Sequence, residues 1–99
     1  MPELELVLYG KATCSLCDRA RETVEDVLDE LAGRVDVSMR RVDIRSDEAL
    51  FARYRHDVPV LAAAGRDWFR HRVDPAQLAA RLLTGERTTL ERERAEFPS

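Results

Sequence analysis

The sequence predicts a single α/β domain, a four-stranded mixed sheet flanked by helices, in the order β-α-β-α-β-β-α. Three observations carry that reading. A short apolar run, Leu6 to Tyr9, ends at Gly10, and from Cys14 apolar residues recur at helical spacing, so a buried strand feeds a long helix. Val58-Pro59 opens a second apolar run that meets a turn signal at Ala64-Gly65. Asp74-Pro75-Ala76-Gln77 combines a capping residue, proline at the first helical position and glutamine at the third, which marks a helix start.

Taken in order, Leu4, Leu6 and Leu8 alternate with Glu5, Val7 and Tyr9, and the strand turns apolar on both faces, as a central strand does. Between Cys14 and Leu31, the residues Ala20, Val24, Val27, Leu28 and Leu31 form one apolar stripe, with Thr13 as the expected N-cap and Gly33 as the expected stop. Val35 to Met39 alternates as a strand, the phase slips at Arg40-Arg41, and Val42 to Ile44 resumes it. That pattern suggests a bulged edge strand, joined to the first in a right-handed parallel unit. Ser46 is placed to cap a short helix whose inner face carries Ala49, Leu50, Phe51 and Tyr54. After it come a strand through Val60, Leu61 and Ala62 and a returning strand over Asp67–His71, with Trp68 and Phe69 expected on opposite faces. Leu78, Leu82 and Leu83 should face inward from the last helix, which Gly85 should end. Residues 1–85 thus form the folded domain, and 86–99 a charged C-terminal tail.

Composition narrows the function. The chain has 99 residues, 44% hydrophobic and 35% charged, a soluble globular profile. Its net charge of −3 argues against a general electrostatic grip on nucleic acid. Lys11 is the sole lysine, so arginine is the default cation and single arginines signify little. No stretch approaches the roughly twenty apolar residues of a membrane span. Met1–Glu5 carries two acids ahead of a four-residue apolar run, so no secretory signal is expected and the cytoplasm is the expected compartment. A monomer is expected. In a reducing compartment a permanent structural disulfide is disfavoured.

Cys14 and Cys17 therefore stand out, three apart where the long helix begins. The first N–H groups of a helix lack backbone partners and carry partial positive charge, which stabilises a thiolate, the nucleophilic form of cysteine. Cys-X-X-Cys at such a junction reads as a thioredoxin-like redox motif. Metal chemistry is the other option. A structural zinc needs four ligands, and there is no second cysteine pair; His56 and His71 lie fifteen apart and read as loop or sheet-edge residues.

With these features the chain resembles the glutaredoxin-like branch of the thioredoxin superfamily over roughly residues 4–84. The likeness rests on Leu8-Tyr9-Gly10-Lys11 before Cys14-Ser15-Leu16-Cys17, on Val58-Pro59 opening the third strand, and on the order of elements. The resemblance implies a thioredoxin-like fold and a thiol–disulfide oxidoreductase, with Cys14 as nucleophile and Cys17 as resolving thiol. It also implies a cis proline at Pro59, with the Val58 peptide docking a partner as a short strand pairing, and Lys11 near the thiolate or a substrate carboxylate. Ser15 and Leu16 occupy the positions that tune redox potential. The implied partner is a disulfide-containing protein or a low-molecular-weight thiol. No bound cofactor is expected, and glutathione is a candidate co-substrate. The chain departs from glutathione-using members where they carry a Gly-Gly pair near the last strand, since Trp68-Phe69-Arg70-His71-Arg72-Val73-Asp74 stands there. Two alternatives stay open: a non-catalytic thioredoxin-fold binding module, and iron–sulfur or metal carriage through Cys14 shared between subunits.

Overall fold

The computed structural model describes residues 4–84. Its elements are β1 (Leu4–Gly10), α1 (Ser15–Glu30), β2 (Val37–Asp43), a 3-10 turn (Ile44–Ser46), α2 (Glu48–Tyr54), β3 (Val60–Ala63), β4 (Arg66–Arg70) and α3 (Pro75–Thr84). The sheet runs β2-β1-β3-β4, with β1 parallel to β2 and antiparallel to β3, and β3 antiparallel to β4. The expected order and mixed sheet are therefore present. The Gly85 stop and the tail at 86–99 lie outside the described residues.

The alternation along β1 sorts the interior into two cores. Leu4, Leu6 and Leu8 join Leu61 and Ala63 on one face, beneath Ala20, Val24, Val27 and Leu31 of the α1 segment and Leu78 and Leu82 of α3. On the other face Ile44, Tyr54, Val58 and Val60 pack with Cys17, and Tyr9 and Leu50 close around them. That second face is covered by α2, of only seven residues, so Val7 and Tyr9 stay half-buried.

Several local expectations shift for physical reasons. Helix α1 ends at Glu30 with Leu31 as C-cap, and Gly33 takes its positive φ of 86° in the turn that follows. β2 is an edge strand without a bulge: its register with β1 is unbroken from Leu4↔Val37 to Gly10↔Asp43. The slip in apolar phase is a change of buried face, Val37 and Met39 packing toward α1 while Val42 lies on the side of Tyr9. The register shift belongs to the β3–β4 hairpin, where Leu61 faces Phe69 but Ala62 faces Asp67. Trp68 is the extra residue. This undoes the alternation expected there, and both Trp68 and Phe69 pack against the α1–α3 core, with the Arg81 guanidinium 5.1 and 5.6 Å from their ring centroids.

Asp47, not Ser46, caps α2, its carboxylate accepting from the Ala49 and Leu50 N–H groups, while the Ser46 hydroxyl donates to the Asp43 carbonyl. Ala49 and Phe51 face solvent because α2 offers its Leu50–Tyr54 side to the sheet. The hairpin turn is as expected, Ala64 and Gly65 both having positive φ, and Asp74 caps α3 by accepting from the Gln77 N–H. Leu83 is 46% exposed, whereas Leu78 is fully buried. Leu78→Ala should accordingly lower the unfolding free energy by about 2–5 kcal/mol. Leu83→Ala should cost under about 1 kcal/mol. Urea titration of both, with unchanged m-values, checks the assignment of the inner face.

Candidate functional site

The site begins with the end of β1. Gly10 finishes the strand beneath α1, where a Cβ would meet the Cys17 sulfur at 3.2 Å and Cys17 would have to give by a few tenths of an ångström. The chain then turns through Thr13, whose φ of 56° puts it outside the helix and whose hydroxyl donates to the Ala12 carbonyl. The expected Thr13 cap is replaced by Cys14. Its backbone is extended, and its sulfur accepts the Cys17 N–H at 3.1 Å. The capping acceptor of α1 is thus a sulfur atom.

Cys14 and Cys17 are joined as a disulfide, with Cα atoms 5.2 Å apart. Cys14 is partly exposed, and Cys17 is buried at 7% exposure. Ser15 and Leu16 between them face solvent, Leu16 at 51%. The Val58–Pro59 bond is cis, Pro59 is buried, and Val58 packs in the cluster that holds both cysteines. Lys11 is exposed and lies on a different side. It lines a cleft of about 340 Å³ with Gly10, Cys17, Arg21, Arg41 and Asp43, between the start of α1 and the ends of β1 and β2. Cys14, Cys17 and Val58 therefore converge with Pro59 beside them, while Lys11 reaches only the inner sulfur's flank.

The proline segment is held from both directions. The Val58 N–H donates to the Tyr54 carbonyl at 3.1 Å, closing the end of α2. The His71 N–H donates to the Pro59 carbonyl at 2.7 Å, continuing the hairpin pairing past β4, and the His71 ring lies 3.9 Å from the Asp57 carboxylate. Sequence reasoning placed Tyr54 on a helix face and His71 at a sheet edge, or with Arg70 and Arg72 in an anion-binding rim. Tyr54 in fact stacks on Tyr9, centroids 4.7 Å apart, and its hydroxyl donates to Asp67 at 2.9 Å. Arg70 ties Asp67 to Asp57. The available signal was the pairing of Asp67 and Arg70 three residues apart on a strand, which a bulge brings to one face. Among the described residues no three His, Cys, Asp or Glu side chains form a metal site, and no helix is long and apolar enough to cross a membrane.

Residues 5–83 match the family model of the glutaredoxin-like domain (DUF836). The chain belongs to that family. A glutaredoxin-like protein of Dictyostelium discoideum is 25% identical over 95 residues, which cover 94% of this chain and 88% of that one. A structural-genomics target protein from X. campestris is 32% identical and superposes with a TM-score of 0.58 over 81% of this chain and 97% of its own. A chloroplastic thioredoxin z, 21% identical, gives a TM-score of 0.59 over 80% of this chain and 74% of its own, a likeness of fold alone. The glutaredoxin-like domain here is therefore a thioredoxin fold, as the Cys-X-X-Cys and Val-Pro pairing implied.

Burial, reinforced by the hydrogen bond to Asp67, pushes the Tyr54 hydroxyl above its ordinary value of 10.0. Its protonated form is favoured in the fold, so the stability it contributes is complete below pH about 10 and is lost as pH rises through the raised value. Tyr54→Phe should cost about 1–3 kcal/mol at neutral pH, since it removes a hydrogen bond to a carboxylate. It should also flatten the loss of stability above pH 10, as read by alkaline denaturation. Gly10→Ala should lower the melting temperature more in the oxidised protein than in the reduced one, because the disulfide denies Cys17 the freedom to move aside.

Proposed function

We propose that this protein is a thiol–disulfide oxidoreductase that works through Cys14 and Cys17. One observation carries the proposal: two cysteines close enough to bond at the N-terminus of α1, the outer partly exposed and the inner buried. In the reduced protein the Cys17 N–H that meets the Cys14 sulfur would donate to a thiolate, and a charge-assisted hydrogen bond is roughly twice as strong as a neutral one. The helix dipole adds about 0.3–1 kcal/mol in the same direction. Both lower the cost of ionising Cys14 relative to a free cysteine near pKa 8.5.

The reaction then balances in two exchanges. The Cys14 thiolate attacks one sulfur of the partner disulfide; that bond breaks, a Cys14–partner disulfide forms, and the second partner sulfur leaves as a thiolate and takes a proton. Cys17, deprotonated, attacks the Cys14 sulfur, forming the Cys14–Cys17 disulfide and releasing the remaining partner thiol. Two electrons and two protons have passed to the partner. A low-molecular-weight thiol such as glutathione, or a protein dithiol, would restore the reduced pair. Because the Val58 N–H is engaged by Tyr54, a docked partner would pair with the Val58 carbonyl. Cys14→Ser should abolish reduction of a disulfide substrate, and Cys17→Ser should accumulate a mixed disulfide visible by mass under non-reducing conditions. Undiminished turnover in Cys14→Ser would end the proposal.

A further inference from the structure

A groove of about 170 Å³ lies between the start of α1 and the segment after β4, lined by Leu16, Arg19, Thr23, His71, Arg72 and Val73. One end is the residue between the two cysteines, and the other is His71, whose backbone holds the Pro59 carbonyl. Its charged and titratable lining groups are basic, in a chain whose net charge is −3. Arg19 and Arg72 make no ion pair among the described residues, so both guanidinium groups are open to a partner's carboxylate. Of the neighbouring acids, Asp57 pairs with Arg70 and with the groove's own His71, Asp74 accepts from the Gln77 N–H, and Asp18 and Glu22 of α1 form no ion pair with Arg19 or Arg72 among the described residues. Leu16 lines the same groove with its side chain half exposed. The volume is below the roughly 300–1,000 Å³ of clefts that enclose a whole small ligand, so it suits one or two side chains of a larger partner.

We propose that this groove docks an acidic stretch of the disulfide-bearing partner polypeptide, its carboxylates at Arg19 and Arg72 and an apolar side chain on Leu16. The proposal rests on the oxidoreductase reading. Charge complementarity of this kind selects partners and accelerates encounter more than it raises final affinity. It would let an acidic protein choose among disulfides by what flanks them.

The test uses the reduced full chain and two synthetic peptides with the same intramolecular disulfide, flanked by Glu in one and Gln in the other. At low salt the Glu peptide should be reduced roughly three- to tenfold faster. At roughly 0.5 M salt, where screening is strong, the preference should vanish. It should vanish also in the double variant Arg19→Gln, Arg72→Gln. The charge-keeping double variant Arg19→Lys, Arg72→Lys should retain most of it, separating lost charge from lost fold. Equal rates for the two peptides, or a preference that survives removal of both charges, would overturn the docking while leaving the oxidoreductase intact. Faster consumption of oxidised glutathione than of the Glu peptide would also overturn it, in favour of a small-molecule occupant. If neither peptide nor oxidised glutathione is reduced, the oxidoreductase reading falls, and the docking with it.

Discussion

A sulfur atom performs the task that a hydroxyl or carboxylate usually performs at the start of a helix. Cys14 is the N-cap of α1, and its sulfur takes the N–H of Cys17. This one contact fixes the first turn of the helix, brings Cys17 into bonding range and aims a backbone donor at the sulfur. The arrangement needs the extended backbone at Cys14, and the left-handed turn at Thr13 delivers it. Capping and chemistry are thus the same interaction, since whatever favours the helix end also favours negative charge on the outer sulfur.

The rest of the fold keeps that turn in place. Gly10 lets β1 pass under Cys17 at a distance where a Cβ would press on the sulfur. The Leu4–Leu6–Leu8 stripe fastens β1 to α1 and α3, and the opposite face fastens it to α2 through Tyr9 and Tyr54. Tyr54 links three elements: stacked on β1, bonded to Asp67 of β4, and accepting the Val58 N–H through its carbonyl. The proline segment beside the cysteines is therefore positioned by hydrogen bonds from both α2 and the residues after β4. Surface ion pairs such as Arg70 with Asp57 are worth little singly, and here they gain by sharing a network.

Much of this was legible in the chain. The order of elements, the central position of β1, the β3–β4 turn, the Asp74 cap and the strand-to-helix setting of the cysteines all follow from periodicity and local chemistry. These are properties of neighbouring residues. The misplaced features depend on residues far apart. Thr13 and Ser46 are chemically able to cap, but the backbone path made Cys14 and Asp47 the caps. The slip at Arg40-Arg41 looked like a bulge because sequence shows a change of apolar phase but not which layer lies over each end of a strand. Trp68 and Phe69 looked like opposite faces because the insertion that aligns them is defined by the partner strand.

The sequence by itself determined that two cysteines would sit at the electropositive tip of a helix following a buried strand, because spacing, apolar run and helix stripe are all encoded within a few residues. Only the tertiary structure decided what surrounds them: the Tyr54–Asp67 tie, the clasp of His71 on Pro59, and the basic groove of Arg19 and Arg72. Those side chains come from different elements. Their distances are set by how the layers pack, and packing is a property of the whole chain.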